Sequence, residues 1–205
     1  MSERTLHHGR GYFDAMYAES LDPWGFESRW YERRKFQLTI AALPRPRYRH
    51  AVEPGCARGT LTELLAERCD QVTAYDFVPD VLAVARVRFA SRPKIEILDL
   101  EFPLVPEGHG DLAVWSEVAY YLTDAGWKVA VEHLLRWLEP GGDLVAVHYT
   151  GPTDYPRSGH DVAHRLDQVT QLQRLVSHTD DQFELGVWRR TDVVSTSSTT
   201  RTQGG

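Results

Sequence analysis

Between residues 48 and 149 short apolar runs alternate with stretches whose apolar positions recur every three or four residues, the pattern of strands followed by helices. Ala51-Val52-Glu53 ends a first strand, and Leu61, Leu64 and Leu65 follow at helical spacing. Gln71 to Tyr75 reads as a second strand, after which Val81, Val84, Ala85 and Phe89 line one side of a second helix. Ile95 to Leu98 and Asp111 to Ser116 give a third and a fourth strand. Trp127, Val131, Leu134, Leu135 and Leu138 form the stripe of a long helix stopped by Pro140-Gly141-Gly142, and a fifth strand runs from Asp143 to His148. Strand and helix in strict alternation predict an α/β fold on a mainly parallel sheet.

The flanks read differently. Up to about Pro46 the chain is rich in rings and charge, with a break at Asp22-Pro23, a helix predicted from Ser28 to Ala42, and Pro44 and Pro46 ending it. Core-seeking rings on a polar background predict a helical cap over 1–46, either a lid that contacts a ligand or a simple cover for the sheet. The body follows over 47–190. After the Pro/Gly-rich loop Gly151 to Gly159 come a helix from Asp161 to Val169 and two strand-like runs, Leu172 to Ser177 and Phe183 to Trp188. Their short connection through Asp180-Asp181 makes them an antiparallel pair at one edge of the sheet. The Ser/Thr/Gly-rich stretch 191–205 reads as a disordered tail.

Composition narrows the partners. With 23 Lys and Arg against 29 Asp and Glu, the net charge is −6, the wrong sign for a chain that neutralises many phosphates, so nucleic acid is not expected. Two cysteines, Cys56 and Cys69, are too few for a disulfide framework or a four-thiolate zinc site, and neither has a sequence neighbour that would make it a nucleophile. No window approaches the roughly 18 apolar residues of a membrane span and the N-terminus lacks a signal-like apolar core; a soluble, cytoplasmic protein is expected, without a membrane partner. His160 and His164 would share a helix face, but Asp161 stands where zinc proteases carry Glu and no third ligand is evident, so no metal is expected.

Chemistry concentrates in Glu53-Pro54-Gly55-Cys56-Ala57-Arg58-Gly59, between the first strand and the first helix. Glycines there let a ligand approach the backbone, and a helix N-terminus offers N–H groups, although a tight turn with two glycines has the same look. The spacing Gly55-x-x-x-Gly59 is not the G-x-G-x-x-G of a pyrophosphate loop, and Glu53 two residues ahead repels a pyrophosphate while suiting an ammonium or sulfonium. S-adenosylmethionine is therefore favoured over NAD. Asp76, about 20 residues on, ends the second strand where a carboxylate can accept from both ribose hydroxyls. Asp99 ends the third, within reach of an adenine amino group, with Phe77, Leu98 and Leu100 as apolar walls.

Several blocks carry a family resemblance: Tyr12-Phe13-Asp14, Asp22-Pro23-Trp24, Tyr31-Glu32-Arg33-Arg34-Lys35, Glu53-Pro54-Gly55-Cys56, Ser116-Glu117-Val118-Ala119-Tyr120-Tyr121-Leu122, Pro140-Gly141-Gly142 and Gly151-Pro152-Thr153-Asp154-Tyr155-Pro156. From Tyr12 to Arg189 the chain resembles the class I S-adenosylmethionine-dependent methyltransferases, and within them the NodS-type nodulation N-methyltransferases. Ala57 and Arg58 depart from the commonest loop of that superfamily; Arg58 either pairs with the methionine carboxylate or points to solvent. The resemblance implies a Rossmann-like three-layer αβα sandwich with a seven-stranded sheet in the order 3-2-1-4-5-7-6. It implies Glu53 and Gly55 at the methionine end of the cofactor, Asp76 at its ribose, Asp99 and Leu100 at its adenine, and Ser116-Glu117 behind the sulfonium. It further implies an amine acceptor, a small molecule or the deacetylated end of a chito-oligosaccharide.

Methyl transfer asks the protein mainly for alignment and desolvation, and for a base only when the nucleophile arrives protonated. Glu117, Tyr120, Tyr121 and His148 are the candidates by position, with Tyr120, Tyr121 and His148 also expected at the acceptor; His148 is the first choice as base, ahead of Glu117. Each has a plainer alternative: a satisfied strand-end histidine, aromatic packing, or a carboxylate that only orients backbone amides. Competing functions are an O-methyltransferase, a cofactor-binding module without catalysis, and a nicotinamide-dependent oxidoreductase in the same crevice.

Overall fold

A computed structural model describes residues 5–191. Two helices, α1 (Arg10–Glu19) and α2 (Trp30–Ala42), precede the alternating body: β1 (Tyr48–Pro54), α3 (Thr60–Arg68), β2 (Cys69–Asp76), α4 (Pro79–Phe89), β3 (Ile95–Asp99) and β4 (Gly110–Ser116). A 3₁₀ turn (Ala119–Tyr121) leads to α5 (Asp124–Trp137), β5 (Leu138–Tyr149), α6 (Gly159–Asp167), β6 (Leu172–Thr179) and β7 (Phe183–Arg190). The seven strands form one sheet in the order β3-β2-β1-β4-β5-β7-β6. β1 lies inside it, parallel to β2 on one side and β4 on the other, and β7 runs antiparallel to both β5 and β6.

Both faces of the sheet are buried, which is why its strands read as near-continuous apolar runs. In β4, Ala113 and Trp115 join one core with Trp127 and Leu134 of α5 and Val162 of α6; Leu112 and Val114 join the other with Leu61 and Leu65 of α3 and Phe36 of α2. The N-terminal helices contribute to both, α1 through Phe13 and Tyr17 and α2 through Phe36. Among the described residues no helix is long and apolar enough to cross a membrane.

Several boundaries differ from the sequence reading by a residue or two, α2 starting at Trp30 rather than Ser28 among them, and two of the differences have a visible cause. α5 ends at Trp137, and Leu138 already pairs with Gly110 as the first residue of β5. Pro140-Gly141-Gly142 therefore lies within the strand, in an irregular stretch before Leu112 meets Asp143, where Gly141 takes φ +78° and its carbonyl accepts from Arg45. A bulge absorbs these residues, and glycine supplies the left-handed backbone it needs. α6 starts two residues early because Ser158 and Asp161 close a reciprocal capping box. Of the stretch 191–205, Thr191 donates its N–H to Gln171 O (2.8 Å), and the rest lies outside the described residues.

Candidate functional site

The turn after β1 is built on three positive φ angles, at Gly55 (+66°), Ala57 (+46°) and Gly59 (+84°). A Cβ on Gly55 would stand 2.5 Å from Val118 Cγ1, and one on Gly59 would run into the Phe89 ring, so both positions require glycine twice over. Ala57 tolerates the left-handed region because its N–H is tied to Asp76 Oδ2 (3.1 Å). Arg58 turns away and pairs with Glu27 at 3.5 Å.

Two acids lie buried beneath this turn. Glu53 is 3% exposed and accepts from Thr62 Oγ1 (2.6 Å); burial, reinforced by Asp76 and opposed by the Thr62 bond, pushes its pKa up to about 8. Asp76 is raised by burial too, against the backbone N–H groups of Val78, Ala57 and Phe77 that bond its oxygens. Asp99 sits opposite Asp76 in the β2–β3 register but is exposed and outside the cavity wall, whereas its neighbour Leu100 lines it.

After β4 the backbone turns sharply, with Glu117 at φ +57° and its N–H on Val147 O (2.9 Å). Its carboxylate spans two elements: Oε1 accepts from Lys35 Nζ of α2 (2.7 Å) and Oε2 from the Tyr149 N–H of β5 (3.0 Å). Burial raises its pKa, but Lys35 and His148 outweigh that and hold it below the usual carboxylate value. Lys35 is itself buried and also stands 2.8 Å from Glu32 Oε2. His148 is 1% exposed, and its Nε2 accepts the Ala119 N–H (3.0 Å), so the ring is neutral with its proton on Nδ1. Burial lowers its pKa to about 4. The expectation of His148 as general base meets a correction here: the lone pair is already engaged, the ring is a weak base, and it does not reach the cavity wall.

These elements surround a cavity of about 400 Å³ at the carboxyl ends of the central strands, where open α/β sheets hold ligands. Glu53, Gly55, Cys56, Ala57, Asp76, Phe77 and Leu100 meet there with Ser116, Glu117, Tyr120 and Tyr121. Arg58, Gly59, Leu98, Asp99 and His148 are the named residues that stay outside its wall. Rings from the N-terminal region, among them Phe13, Tyr17, Trp24 and Phe26, complete the enclosure. Sequence reasoning passed over Tyr31, Glu32, Lys35 and Tyr149, which line it as well. A signal existed for two of them: Glu32, Lys35, Phe36 and Thr39 share one helical stripe, so the charges lie on the face that an apolar ring marks as buried. His160 faces β7 instead, 2.5 Å from Glu184.

The family model described as nodulation protein S (NodS) matches residues 16–151. The nodulation protein S of Rhizobium tropici is 38% identical over 128 residues, covering 60% of this chain and 53% of the relative. That of Sinorhizobium fredii is 34% identical over 128 residues, 60% of this chain and 59% of the relative. The chain thus spans a little over half the length of these relatives. Among solved structures, a Pseudomonas syringae protein provisionally named a methyltransferase superposes with a TM-score of 0.70 at 40% identity, over 79% of this chain and 100% of that one. The N-methyltransferase NodS of Bradyrhizobium japonicum, solved with S-adenosyl-L-homocysteine, superposes with a TM-score of 0.78 at 24% identity over 89% of this chain and 98% of its own, a likeness of fold.

Proposed function

The chain belongs to the nodulation protein S (NodS) family, and on that premise we propose that it is an S-adenosylmethionine-dependent methyltransferase acting on the nitrogen of a small amine-bearing acceptor. The observation that carries the reading is the acidic floor of the cavity: Asp76 and Glu53 are buried at adjoining strand ends, where ionised carboxylates oppose a pyrophosphate, and a cationic nucleoside bound beside them draws off the proton that burial leaves on Glu53. Asp76 keeps acceptor capacity for ribose hydroxyls after its three backbone bonds, since a carboxylate has about four lone-pair sites. Thr60 Oγ1, buried without a partner at the first turn of α3, suits the carboxylate of an amino acid at a helix N-terminus. Phe77 and Leu100 offer apolar faces to a base. The residues present therefore fit the cofactor.

Bound there, S-adenosylmethionine supplies a methyl carbon activated by a sulfonium. The chain's own contribution is alignment and exclusion of water: Tyr120, Tyr121, Tyr149 and Tyr155 wall the cavity with rings, and Tyr121 and Tyr155 hold their hydroxyls 3.5 Å apart. Glu117, rather than His148, is the ionisable side chain that reaches the cavity after β4, held in place by Lys35 and the Tyr149 N–H.

Calorimetric titration with S-adenosylmethionine, S-adenosylhomocysteine and NAD tests the cofactor, and a product screen with methyl-labelled cofactor against amino sugars, simple amines and phenols tests the acceptor. Binding of the first two ligands, with label transferred to nitrogen, is expected. Binding of NAD alone overturns the reading.

A further inference from the structure

One part of the cavity wall has no role in holding a nucleoside. The start of α2 brings Tyr31, Glu32 and Lys35 against Glu117 and Tyr149. Lys35 stands between two carboxylates, 2.7 Å from Glu117 and 2.8 Å from Glu32, and lies over the Tyr31 ring at 5.0 Å. Tyr31 Oη is buried without a hydrogen-bond partner, while Glu32 Oε2 meets Lys35 Nζ at 2.8 Å. Glu32 is only 5% exposed and lines the cavity. Buried polar atoms are nearly always satisfied, so an unpartnered hydroxyl in a cavity wall calls for a partner from the cavity side, a water, an ion or a ligand.

The chemistry of that ligand follows from charge and donor count. Two carboxylates against one ammonium leave a net negative charge in a ring-lined wall, with Lys35 already answered twice. Arg29, the N-cap residue of α2, also lines the cavity and acts on Glu32, but it is exposed and solvent screens its charge. The Tyr31 hydroxyl and the Glu32 carboxylate can both accept, and Tyr149, edge-on to the Tyr31 ring at 6.5 Å, adds a second aromatic wall. We propose that Tyr31 and Glu32 form the subsite that holds the acceptor's ammonium nitrogen, with Lys35 and Glu117 as the fixed counter-charges that position Glu32. The subsite rests on the methyltransferase reading for its role as acceptor site, and it selects acceptors whose nitrogen still carries N–H donors.

The test uses benzylamine and its neutral isostere benzyl alcohol at neutral pH, titrated by calorimetry into the full chain with and without S-adenosylhomocysteine. The wild type is expected to bind the amine at least about tenfold more tightly than the alcohol, the scale of a hydrogen bond to a charged group. That preference is expected to vanish in Glu32→Gln and to fall about threefold in Tyr31→Phe, with S-adenosylhomocysteine affinity unchanged in both. Tyr31→Phe removes no charge, and so keeps the test decisive should Glu32→Gln disturb the fold around Lys35. Equal affinity of the two probes in the wild type, absence of binding included, overturns the subsite, as does a preference that survives both substitutions. Failure of S-adenosylhomocysteine to bind is a separate result and strikes the cofactor reading instead.

Discussion

At the scale of single residues, burial has moved ionisable groups in and beside the cavity in opposite directions. His148 is neutral in the native state, with a pKa lowered to about 4 by burial, while the unfolded chain protonates it near 6.5. Below 6.5 the unfolded state binds the extra proton, so this group's contribution is complete above that pH and is lost as pH falls toward 4, on the order of 3 kcal/mol in all. His148→Gln is expected to flatten that part of the stability–pH curve, measured by denaturant melts from pH 4 to 7, and to lower turnover by less than about threefold, because Nε2 serves the Ala119 N–H. A fall of about a hundredfold would restore it as a base. Glu53 works the other way. Its pKa of about 8 keeps a proton in the native state that the unfolded chain releases near 4.5, so stability declines as pH climbs from about 5 to 8. Glu53→Gln is expected to be more stable than wild type at pH 8 by roughly 3–5 kcal/mol and to bind S-adenosylmethionine more weakly, a trade visible in paired melts and titrations. Glu53, Asp76 and Glu117, which all line the cavity, were legible as acids at strand ends. The engagement of the His148 lone pair was not, since only the fold brings the Ala119 N–H, 29 residues away in sequence, to that ring.

At the scale of elements, α2 shows where linear patterns fall short. Its length was readable from apolar spacing and from Pro44, but Tyr31-Glu32-Arg33-Arg34-Lys35 has the composition of a solvated face. In the structure Glu32, Lys35, Phe36 and Thr39 are buried together, while Arg33 faces solvent. The burial of Lys35 depends on an acid that arrives from the far side of β4, and no local signal announces that partner. Lys35→Met is therefore expected to cost about 3–5 kcal/mol at neutral pH, because Glu32 and Glu117 are left facing each other without a counter-charge. The double variant Lys35→Met/Glu117→Gln is expected to recover much of that loss in the same melts. Full additivity of the two substitutions would show that the ion cluster is not coupled. The α5–β5 junction failed for a different reason: Pro-Gly-Gly is the ordinary stop of a helix, and the chain uses it one step later as the bulged opening of a strand.

For the molecule as a whole, alternation of strands and helices was enough to specify a parallel sheet buried on both faces, and the one antiparallel strand followed from the short turn between β6 and β7. The placement of the cavity followed as well, because β1 has neighbours on both sides and the chain leaves it toward α3 at the point where strand order reverses. What linear reading could not supply was the enclosure, built from rings of α1, the segment before α2 and the loop after β5 that lie far apart in sequence. A site assembled from so many elements couples ligand binding to global stability. Saturation with S-adenosylhomocysteine at about a hundred times its dissociation constant should stabilise the native state by about 2.7 kcal/mol. For a chain of this length that corresponds to a rise in melting temperature of roughly 5–11 °C. A scanning-calorimetry series at increasing S-adenosylhomocysteine should show that rise continuing with the logarithm of concentration, while NAD at the same concentrations leaves the transition where it was. A transition that moves with NAD, or does not move with S-adenosylhomocysteine, would mean that the acidic floor formed by Glu53 and Asp76 receives something other than a sulfonium nucleoside.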